Sequence, residues 1–579
     1  MTKYKVQGSG KSVDLNQGNL KAKGGEGSIY IVGDIVYKVC DEGKMIPNGK
    51  FTELNLLDHP RIVKPESILL DSKNKPCGYT MKLVPNAVPL AQILSKTYRE
   101  REGVSPNHMS DLVQQIADGL RFVHKKLGYL QVDGNELNYM VTDDYKSVYF
   151  IDVNSFQTPS YPADAIMASI RDYHCPKNSH GLYVWSHETD WYSFAIIAFY
   201  MFTGIHPFKG RHPKFTNLKT FMVDNMTACK SVLDKEVGFP ESAVYFPFES
   251  FIPGGANGAY MQWFRATFVD NKRMPAPLDF QATINIIAKV KEIVGSNNFV
   301  IEELRKFSGS LIGFFENFGK EVAVTKDQIY LMNQGDNKPS NKFKIGFTPV
   351  LNVPIAAWLE NNKLVLKNLE SKAIIPCEIQ GKNIMISDGR IYVQSTNDFL
   401  EVMFFENKTS INAYSSSVAS IMPTATEMFE GVAIQDMFGK KMVSVFPQSG
   451  HHRLLKIEEL NEFKIIDAKF EGNVLMVVGN KDGEYSRFVF RFSKSWDSCD
   501  VRQIEDINPS GINFTVSDKG ICVCLTEEEK IELFSNQKDV VGIKSISDPA
   551  IKMDMKLICS GAQIRFLHGN KVHSLSMRK

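Results

Sequence analysis

The sequence lacks the segments that would attach a protein to a membrane. Crossing a bilayer takes about 20 apolar residues, and the longest apolar run, WYSFAIIAFYMF, spans only residues 191–202. That run predicts a buried helix. Residues 1–19 also lack the apolar core of a signal peptide, so we expect a cytoplasmic protein with no membrane partner.

Neither an excess of one charge nor a cysteine pattern is present. Lysine and arginine number 67 against 65 aspartate and glutamate, which leaves a net charge of +2. This balance gives no sign of a nucleic-acid partner. The nine cysteines are scattered without a CxxC pair. They argue against a disulfide framework and a structural zinc site, and they fit a reducing cytoplasm.

The length of 579 residues predicts more than one hydrophobic core. Residues 1–295 mix strand patterns with helical ones, as in the apolar spacing of residues 108–127, and so predict an α+β domain. We assign residues 296–320 to a helical linker. From 321 to 579, short alternating segments between turn residues predict an all-β domain.

The all-β domain contains a loose repeat. Its hairpin-like units start about 40 residues apart on average, which is the length of one four-stranded propeller blade. The units begin at DQIYLMNQGDNK, NKLVLKNLESK, GRIYVQSTNDFLEVMFF, KKMVSVFPQSGHHRLLKI, GNVLMVVGNKDGEYSRFVFRF, KGICVCLTEEEKIELF and AQIRFLHGNKVHSLSM. They predict a β-propeller of six to eight blades. A pair of β-sandwiches is the alternative, because the spacing is irregular and no WD or kelch signature occurs.

A glycine-rich stretch near the N-terminus, KAKGGEGSIYIVGDIVYKVC, covers residues 21–40. Gly24, Gly25 and Gly27 precede a strand-like run, and glycines between strands let backbone N–H groups approach phosphate oxygens. Lys38, on the following strand, could supply a positive charge to those phosphates. An ordinary glycine-rich hairpin with a solvent-facing lysine is the alternative.

A second informative stretch, GYLQVDGNELNYMVTDDYKSVYFIDVNSFQ, covers residues 128–157. Asp133 and Asn138 stand five positions apart, and Asp152 follows a strand-like run. Hard oxygen ligands on short loops after strands suit a partly hydrated Mg²⁺. Local turn capping by aspartate and asparagine is the alternative interpretation.

The order of these stretches resembles the Ser/Thr protein-kinase family, in the divergent bacterial and phage form whose signatures read GGEGxVY and IDxDSFQ. The resemblance covers roughly the first half of the chain. It implies a bilobal α+β kinase-like fold, with an N-terminal lobe near residues 15–86 and a C-terminal lobe near 87–295, followed by the all-β domain.

The resemblance implies a catalytic set that uses ATP and Mg²⁺ as cofactors. The set consists of Lys38, Asp133, Asn138 and Asp152. Lys38 matches the lysine that bridges the α- and β-phosphates, and Asp133 matches the aspartate that accepts the hydroxyl proton. Asn138 and Asp152 match the two metal ligands.

The resemblance also implies a set of nucleotide contacts. These are Gly24, Gly25, Gly27, Ile29, Val36, Lys38, Met81, Leu83 and Met140. Met81 takes the gatekeeper position, and the backbone of residues 82–84 is expected to receive an adenine edge. Ile29, Val36 and Met140 are expected to sandwich the purine.

Two further matches are structural. Asp190, in SHETDWYSFAIIAFYMFTGIHPF, matches the aspartate that anchors the catalytic loop, and Arg273, in DNKRMPAP, matches a late family arginine. In the family this arginine pairs with a glutamate whose place is taken here by Lys177. Arg273 therefore needs another partner, or its surroundings are rebuilt.

The flanking residues depart from the family pattern. Ala22 replaces the first loop glycine, Gln131 and Val132 replace the histidine and arginine before the catalytic aspartate, and Asn154 replaces the glycine of D-F-G. Glu53 is the candidate for the helix αC glutamate that pairs with Lys38, although it lies about one helical turn from the expected place.

These features predict a Ser/Thr protein kinase whose β domain recruits a protein substrate or partner. A catalytically impaired pseudokinase scaffold is the alternative, because the residues around the catalytic aspartate are altered. A small-molecule kinase on the same fold is a third option. The family-like segments around residues 186–208 argue against it.

Overall fold

A computed structural model describes most of the chain. The described residues are 2–163, 166–209, 218–233, 252–255, 258–277, 296–332, 334–340, 342–407, 410–493, 496, 499–505, 507, 511–535, 544–560 and 563–578. The chain divides into two compact units. The first comprises Met1–Ala288, Asn480–Ser486 and Ile504–Gly511, and the second comprises Lys289–Gly479, Arg487–Gln503 and Ile512–Lys579. The chain is a β-rich, multidomain protein.

The first unit begins with a seven-stranded antiparallel sheet. Its strands are β1 (Thr2–Val6), β2 (Ser12–Leu15), β3 (Leu20–Gly24), β4 (Gly27–Val32), β5 (Ile35–Cys40), β6 (Ser67–Leu70) and β7 (Pro76–Lys82). Across the sheet they run β2-β1-β6-β7-β5-β4-β3. Strand β5, which carries Lys38, therefore lies between β4 and β7.

The alternation of side chains along β5 separates a core face from a second face. Tyr37 packs with Leu15 and Leu69 in a hydrophobic cluster. Successive residues of a strand point to opposite sides, so Lys38 belongs to the other face. The sheet thus positions one lysine away from its own apolar core.

The remaining regular elements of the first unit are mostly helical. The described helices are α1 (Asn48–Asn55), α2 (Leu90–Leu94), α3 (Lys96–Glu102), α4 (Pro106–His124), α5 (His187–Thr203), α6 (Leu218–Ala228) and α7 (Ala259–Phe268). A three-stranded antiparallel sheet contains β8 (Ala87–Pro89), β9 (Tyr139–Thr142) and β10 (Val148–Phe150). The segment between α4 and β9 contains Asp133 and Asn138.

Two of these helices were expected from the sequence. Helix α4 begins at a capping box in which Ser105 Oγ accepts the His108 N–H, and Pro106 occupies its first turn. Helix α5 ends at Gly204, which has a left-handed φ of 75°. Every residue from 189 to 203 is buried, so the prediction of a buried helix over residues 191–202 is confirmed. Among the described residues, no helix has both the length and the apolarity needed to span a membrane.

The second unit consists of four-stranded sheets, seven of them in the described residues, although a few end residues of one sheet, within 480–486 and at 504, count with the first unit. Six of the sheets are formed by four consecutive strands each. The first three contain β12 (Leu311–Asn317), β13 (Lys320–Thr325), β14 (Gln328–Leu331) and β15 (Gln334–Asn337); β16 (Lys344–Phe347), β17 (Pro354–Glu360), β18 (Lys363–Asn368) and β19 (Ile374–Ile375); and β20 (Asn383–Ser387), β21 (Arg390–Gln394), β22 (Asp398–Glu406) and β23 (Ile411–Ser420). The next three contain β24 (Thr426–Met428), β25 (Val432–Met437), β26 (Lys440–Gln448) and β27 (His451–Lys456); β28 (Lys464–Glu471), β29 (Val474–Lys481), β30 (Glu484–Phe492) and β31 (Cys499–Ile504); and β32 (Phe514–Val516), β33 (Ile521–Leu525), β34 (Lys530–Ser535) and β35 (Lys544–Ser547). In each of these six sheets, neighbours along the chain are neighbours in the sheet.

The seventh sheet joins the two ends of the second unit. Its order is β11 (Phe299–Lys306), β38 (Lys571–Met577), β37 (Gln563–His568) and β36 (Lys556–Ser560). Strand β11 pairs with β38 from Phe299 opposite Met577 onward. The helical linker predicted for residues 296–320 is therefore wrong, because β11 and β12 occupy it. Strand β11 is stabilised by pairing with β38, more than 250 positions away, and local sequence propensity does not encode such a distant partner.

Candidate functional site

The structure brings Lys38 and Asp152 together although 114 positions separate them. Lys38 Nζ lies 3.2 Å from Asp152 Oδ1 and 2.7 Å from Glu26 Oε2. Lys38 is only 8% exposed. The ammonium of Lys38 is therefore buried between two carboxylates, and the contact with Asp152 is formed by tertiary folding rather than by local structure.

The surroundings of Lys38 keep it charged. Burial alone lowers the pKa of a lysine, but Asp152, the Tyr79 phenol and Glu26 outweigh it and raise the pKa of Lys38 above its ordinary value. The same contact acts on Glu26, where burial raises the pKa but Lys38 lowers it further. The two carboxylates therefore favour the ammonium form of Lys38 and balance its charge.

The residues expected to contact a nucleotide share a face of the sheet with Lys38. Ile29 is the register partner of Lys38, and Val36 is the partner of Met81. Residues directly opposite each other in a sheet lie on the same side, as do residues two apart along a strand. Ile29, Val36, Lys38 and Met81 thus lie on one face. Met140 is on β9 of the separate three-stranded sheet, with its side chain partly buried.

The glycine turn between β3 and β4 is open at one end and tight at the other. A Cβ atom built on Gly24 or Gly25 meets nothing within 4 Å. One built on Gly27, whose φ is 151°, would lie 2.2 Å from the Val39 carbonyl oxygen. Only glycine fits at position 27, because that backbone packs directly against β5. The backbone at Gly24 and Gly25 is therefore not obstructed by neighbouring atoms.

Within residues 82–84, whose backbone is expected to receive an adenine edge, the N–H of Leu83 already has a partner in the sheet. The Leu83 N–H donates to the Asp34 carbonyl oxygen at 3.0 Å. This bond continues the β5–β7 pairing past the end of β7, so the N–H is used inside the sheet. The expected backbone contacts are left to Lys82 and Val84.

Asp133 and Asn138 form a second part of the site, in the segment between α4 and β9. Asn138 Nδ2 donates to the Asp133 carbonyl oxygen at 2.8 Å and lies 3.4 Å from Asp133 Oδ2. The Ile151 N–H donates to the Asn138 carbonyl oxygen at 3.0 Å. Asp152, the next residue, is therefore held beside Asn138 by the backbone. The structure brings together all three of the polar residues that the spacing indicated.

The Asp133 carboxylate is partly buried and already accepts a backbone hydrogen bond. The Met167 N–H donates to Oδ1 at 3.0 Å. Burial raises the pKa of Asp133, and the nearby Asp152 carboxylate adds to this rise, although hydrogen bonds from Met167 and the neighbouring asparagines oppose it. Each carboxylate oxygen has two acceptor positions, so Asp133 retains the capacity to accept a proton from a substrate.

One site residue and one residue next to the site have left-handed backbone conformations. Asp152 has φ 54° and Val132 has φ 59°. The conformation is uncommon for any residue with a side chain and is an outlier for a β-branched one such as valine. Such strain costs about 1–3 kcal/mol per residue and is typical of functional sites. Both outliers lie within one position of a residue predicted to be catalytic or metal-binding.

Asp190 of helix α5 holds the strained segment in place. Its Oδ2 accepts the Gln131 N–H at 2.8 Å, and its Oδ1 accepts the Val132 N–H at 2.8 Å. His124 Nε2 lies 2.8 Å from Oδ2. Asp190 is 3% exposed. The expectation that this aspartate anchors the segment before Asp133 is confirmed.

Replacing Asp190 with alanine is expected to destabilise the first unit by about 3 kcal/mol or more, because two buried N–H groups lose their acceptor. Thermal unfolding followed by tryptophan fluorescence would measure this loss. Asp58→Ala is the control, since the Asp58 side chain is 95% exposed, and we expect a change within about 0.5 kcal/mol. Equal melting temperatures for both variants would contradict the anchoring role.

Asn138 and Asp152 fit the chemistry of the expected Mg²⁺ ligands. Asn138 uses Nδ2 toward Asp133, which leaves Oδ1 as the atom to offer a cation, and the Asp152 side chain is 41% exposed. Within the described ranges, no group of three or more His, Cys, Asp and Glu residues could hold a metal ion. Mg²⁺ commonly takes only one or two protein carboxylates and completes its shell with phosphates and water.

Glu53 does not pair with Lys38, so that expectation is wrong. Glu53 lies on helix α1, and its Oε2 accepts the Ser160 N–H at 3.2 Å. The polar groups of Ser160 and Thr158 around this carboxylate lower the pKa of Glu53. The carboxylate that contacts Lys38 is Glu26, from the glycine turn. The sequence did contain a signal, since Glu26 is the one charged residue among the glycines of GGEG.

Arg273 has a different acidic partner from the one that the family pattern provides. Its Nε and Nη2 donate to the two carboxylate oxygens of Asp172 at 2.6 and 2.8 Å. Its guanidinium also lies over the Tyr192 ring, 4.3 Å from the centroid. Because Lys177 takes the place of the family glutamate, Arg273 needed either another partner or rebuilt surroundings. The structure shows another partner, Asp172.

Comparisons with known proteins add nothing to these observations. No family model matches the chain, and no curated protein matches it either.

Proposed function

We propose that the first unit is a protein-kinase-like domain that transfers the γ-phosphoryl group of Mg²⁺-ATP to Ser or Thr hydroxyls of a protein. The observation that carries the proposal is the contact between Lys38 and Asp152, formed on elements far apart in sequence. The spacing of Asp133, Asn138 and Asp152 and the shared sheet face of Lys38 and Met81 support it.

The proposed chemistry depends on positioning and on charge. Lys38 offers its ammonium to the phosphates, and Asp133 orients the attacking hydroxyl and accepts its proton. Asn138 and Asp152 would hold Mg²⁺, which neutralises charge on the β- and γ-phosphates when bound. The unobstructed backbone at Gly24 and Gly25 gives the phosphates room against β4.

The second unit is proposed to be a seven-bladed β-propeller that recruits the protein substrate or another partner. Seven four-stranded sheets support this fold, as does the pairing of the first strand with the last, which would close a ring. Two β-sandwiches would instead pair strands into two larger packed layers. The recruiting role rests on analogy with other propellers.

A binding scaffold without transfer activity is a second candidate. It is favoured by the hydrogen bond from Met167 to Asp133 Oδ1, since a segment already lies against the carboxylate that a substrate would approach. The altered residues Gln131 and Val132 point in the same direction.

Binding of Mg²⁺-ATP is expected to stabilise the protein by about 2.7 kcal/mol at a concentration 100 times the dissociation constant. Thermal unfolding with and without Mg²⁺-ATP measures the binding, and γ-labelled ATP with a cell lysate measures the transfer. Lys38→Met is the control, because it removes the ammonium from the site.

The outcomes separate the candidate functions. A shift with labelling of lysate proteins supports the kinase, and a shift without labelling supports a nucleotide-binding scaffold. No shift and no labelling in the native protein would contradict the proposed kinase function.

A further inference from the structure

Lys38 contacts two carboxylates and one amide oxygen. Its Nζ lies 2.7 Å from Glu26 Oε2, 3.2 Å from Asp152 Oδ1 and 3.4 Å from Asn154 Oδ1. An ammonium has three donors, and hydrogen bonds between two charged groups are the strongest. Both carboxylates make such bonds, and the contact of Nζ with Glu26 is the shorter of the two.

Glu26 is held at its place by its own backbone. The Asp41 N–H donates to the Glu26 carbonyl oxygen at 2.9 Å, and Gly27 packs so closely against Val39 that a Cβ would not fit. Asp41 and Val39 flank the end of β5, the strand of Lys38. The turn that carries the carboxylate is thus attached to the strand that carries the ammonium.

Asn154 connects the same carboxylate to the segment of Asp152. Its Nδ2 donates to Glu26 Oε2 at 3.2 Å, and its Oδ1 accepts the Tyr79 hydroxyl at 3.1 Å. An asparagine offers both a donor and an acceptor, whereas a glycine at this position would offer neither from a side chain. The departure from D-F-G at position 154 and the glutamate of the glycine turn belong to one hydrogen-bonded network.

The glutamate of helix α1 is engaged elsewhere. Glu53 Oε2 accepts the Ser160 N–H, and Ser160 belongs to the segment after Asn154 rather than to the sheet. The two glutamates therefore have separate partners.

We propose that Glu26, and not Glu53, is the positioning residue for Lys38, with Asn154 bridging Glu26 to the Asp152 segment. This inference rests on the proposed kinase function. Glu26 acts through Lys38, because it fixes the ammonium where the phosphates are to be bound. A kinase site built this way takes its lysine partner from the glycine turn.

The test compares Glu26→Gln with Glu53→Gln. Loss of a charge-assisted hydrogen bond at Lys38 is expected to slow phosphate transfer to lysate proteins roughly 10- to 100-fold in Glu26→Gln. The loss should fall mainly on kcat, with a smaller rise in KM for Mg²⁺-ATP. Glu53→Gln should lose less than about 3-fold. Glu42→Gln, an exposed glutamate just beyond β5, controls for the loss of one negative charge.

Two further measurements keep the inference separate from folding and from the proposed function. Thermal unfolding of Glu26→Gln should match that of the native protein, and Glu26→Asp should recover part of the kcat loss because it keeps a carboxylate. Tighter Mg²⁺-ATP binding by Glu26→Gln would overturn the inference, since Glu26 would then compete with phosphate. An active Glu26→Gln beside an inactive Glu53→Gln would also overturn it. A native protein that neither binds Mg²⁺-ATP nor transfers phosphate contradicts this inference and the proposed function together.

Discussion

Replacing Asp133 with alanine is expected to reduce phosphate transfer to lysate proteins by about 10²- to 10⁴-fold, the usual loss when a general base is removed. Mg²⁺-ATP binding should change little, because the nucleotide phosphates are assigned to Lys38 and the metal to Asn138 and Asp152. Initial rates with γ-labelled ATP measure the first effect, and thermal shift measures the second.

Asp133→Asn gives a sharper form of the same test. The asparagine keeps the size of the side chain and an oxygen that can accept the Met167 N–H, but it cannot take a proton at neutral pH. A large loss in Asp133→Asn with unchanged melting temperature would therefore assign the effect to chemistry. Asp111→Ala, at an exposed position of helix α4, is the control. Equal labelling by native protein and both Asp133 variants would contradict the kinase function.

The family resemblance assigned Asp133, Asn138 and Asp152 to one site, and their short separation along the chain made the match recognisable. Asp133 and Asn138 lie on one segment, and the strands β9 and β10 that follow it bring Asp152 back beside Asn138. A hairpin of this kind is encoded locally, by strand patterns and a turn. The three residues could therefore be found together from sequence alone.

The partners of the charged residues could not be predicted in the same way. Asp172 is 101 positions from Arg273, and nothing near either residue marks the other. The choice between Glu26 and Glu53 as partner of Lys38 depends on how the glycine turn and helix α1 are placed around β5. Side chains from different elements compete for one ammonium, and the outcome is set by tertiary packing.

Secondary structure was predictable where a helical period or a long apolar run dominates. Helices α4 and α5 have long apolar patterns and recognisable ends at Ser105 and Gly204. Strand β11 has the sequence FVIEELRK, in which glutamate, leucine, arginine and lysine favour a helix. Its pairing with β38 overrides that preference, which is why the expected linker was wrong.

Breaking the ion pair between Asp172 and Arg273 is expected to have the largest effect on stability. Asp172 is 3% exposed, and its carboxylate also accepts the His174 N–H at 3.0 Å. Asp172→Leu leaves a largely buried guanidinium without its carboxylate, which costs about 3–5 kcal/mol. Arg273→Met leaves the buried carboxylate uncompensated and should cost a similar amount. Thermal unfolding of both single variants measures these losses.

The double variant Asp172→Leu with Arg273→Met distinguishes the cost of a lone charge from the value of the pair. Apolar replacement of both members of a buried ion pair is often neutral or stabilising, because neither charge has to be desolvated. We expect the double variant to be more stable than either single one, although it loses the stacking of Arg273 on Tyr192, worth about 0.5–2 kcal/mol. Removing the exposed pair of Lys363 and Glu378 should change stability by less than about 1 kcal/mol. A double variant as unstable as the sum of the single ones would show that Asp172 and Arg273 act independently, and their bidentate contact would then not explain how this region tolerates Lys177.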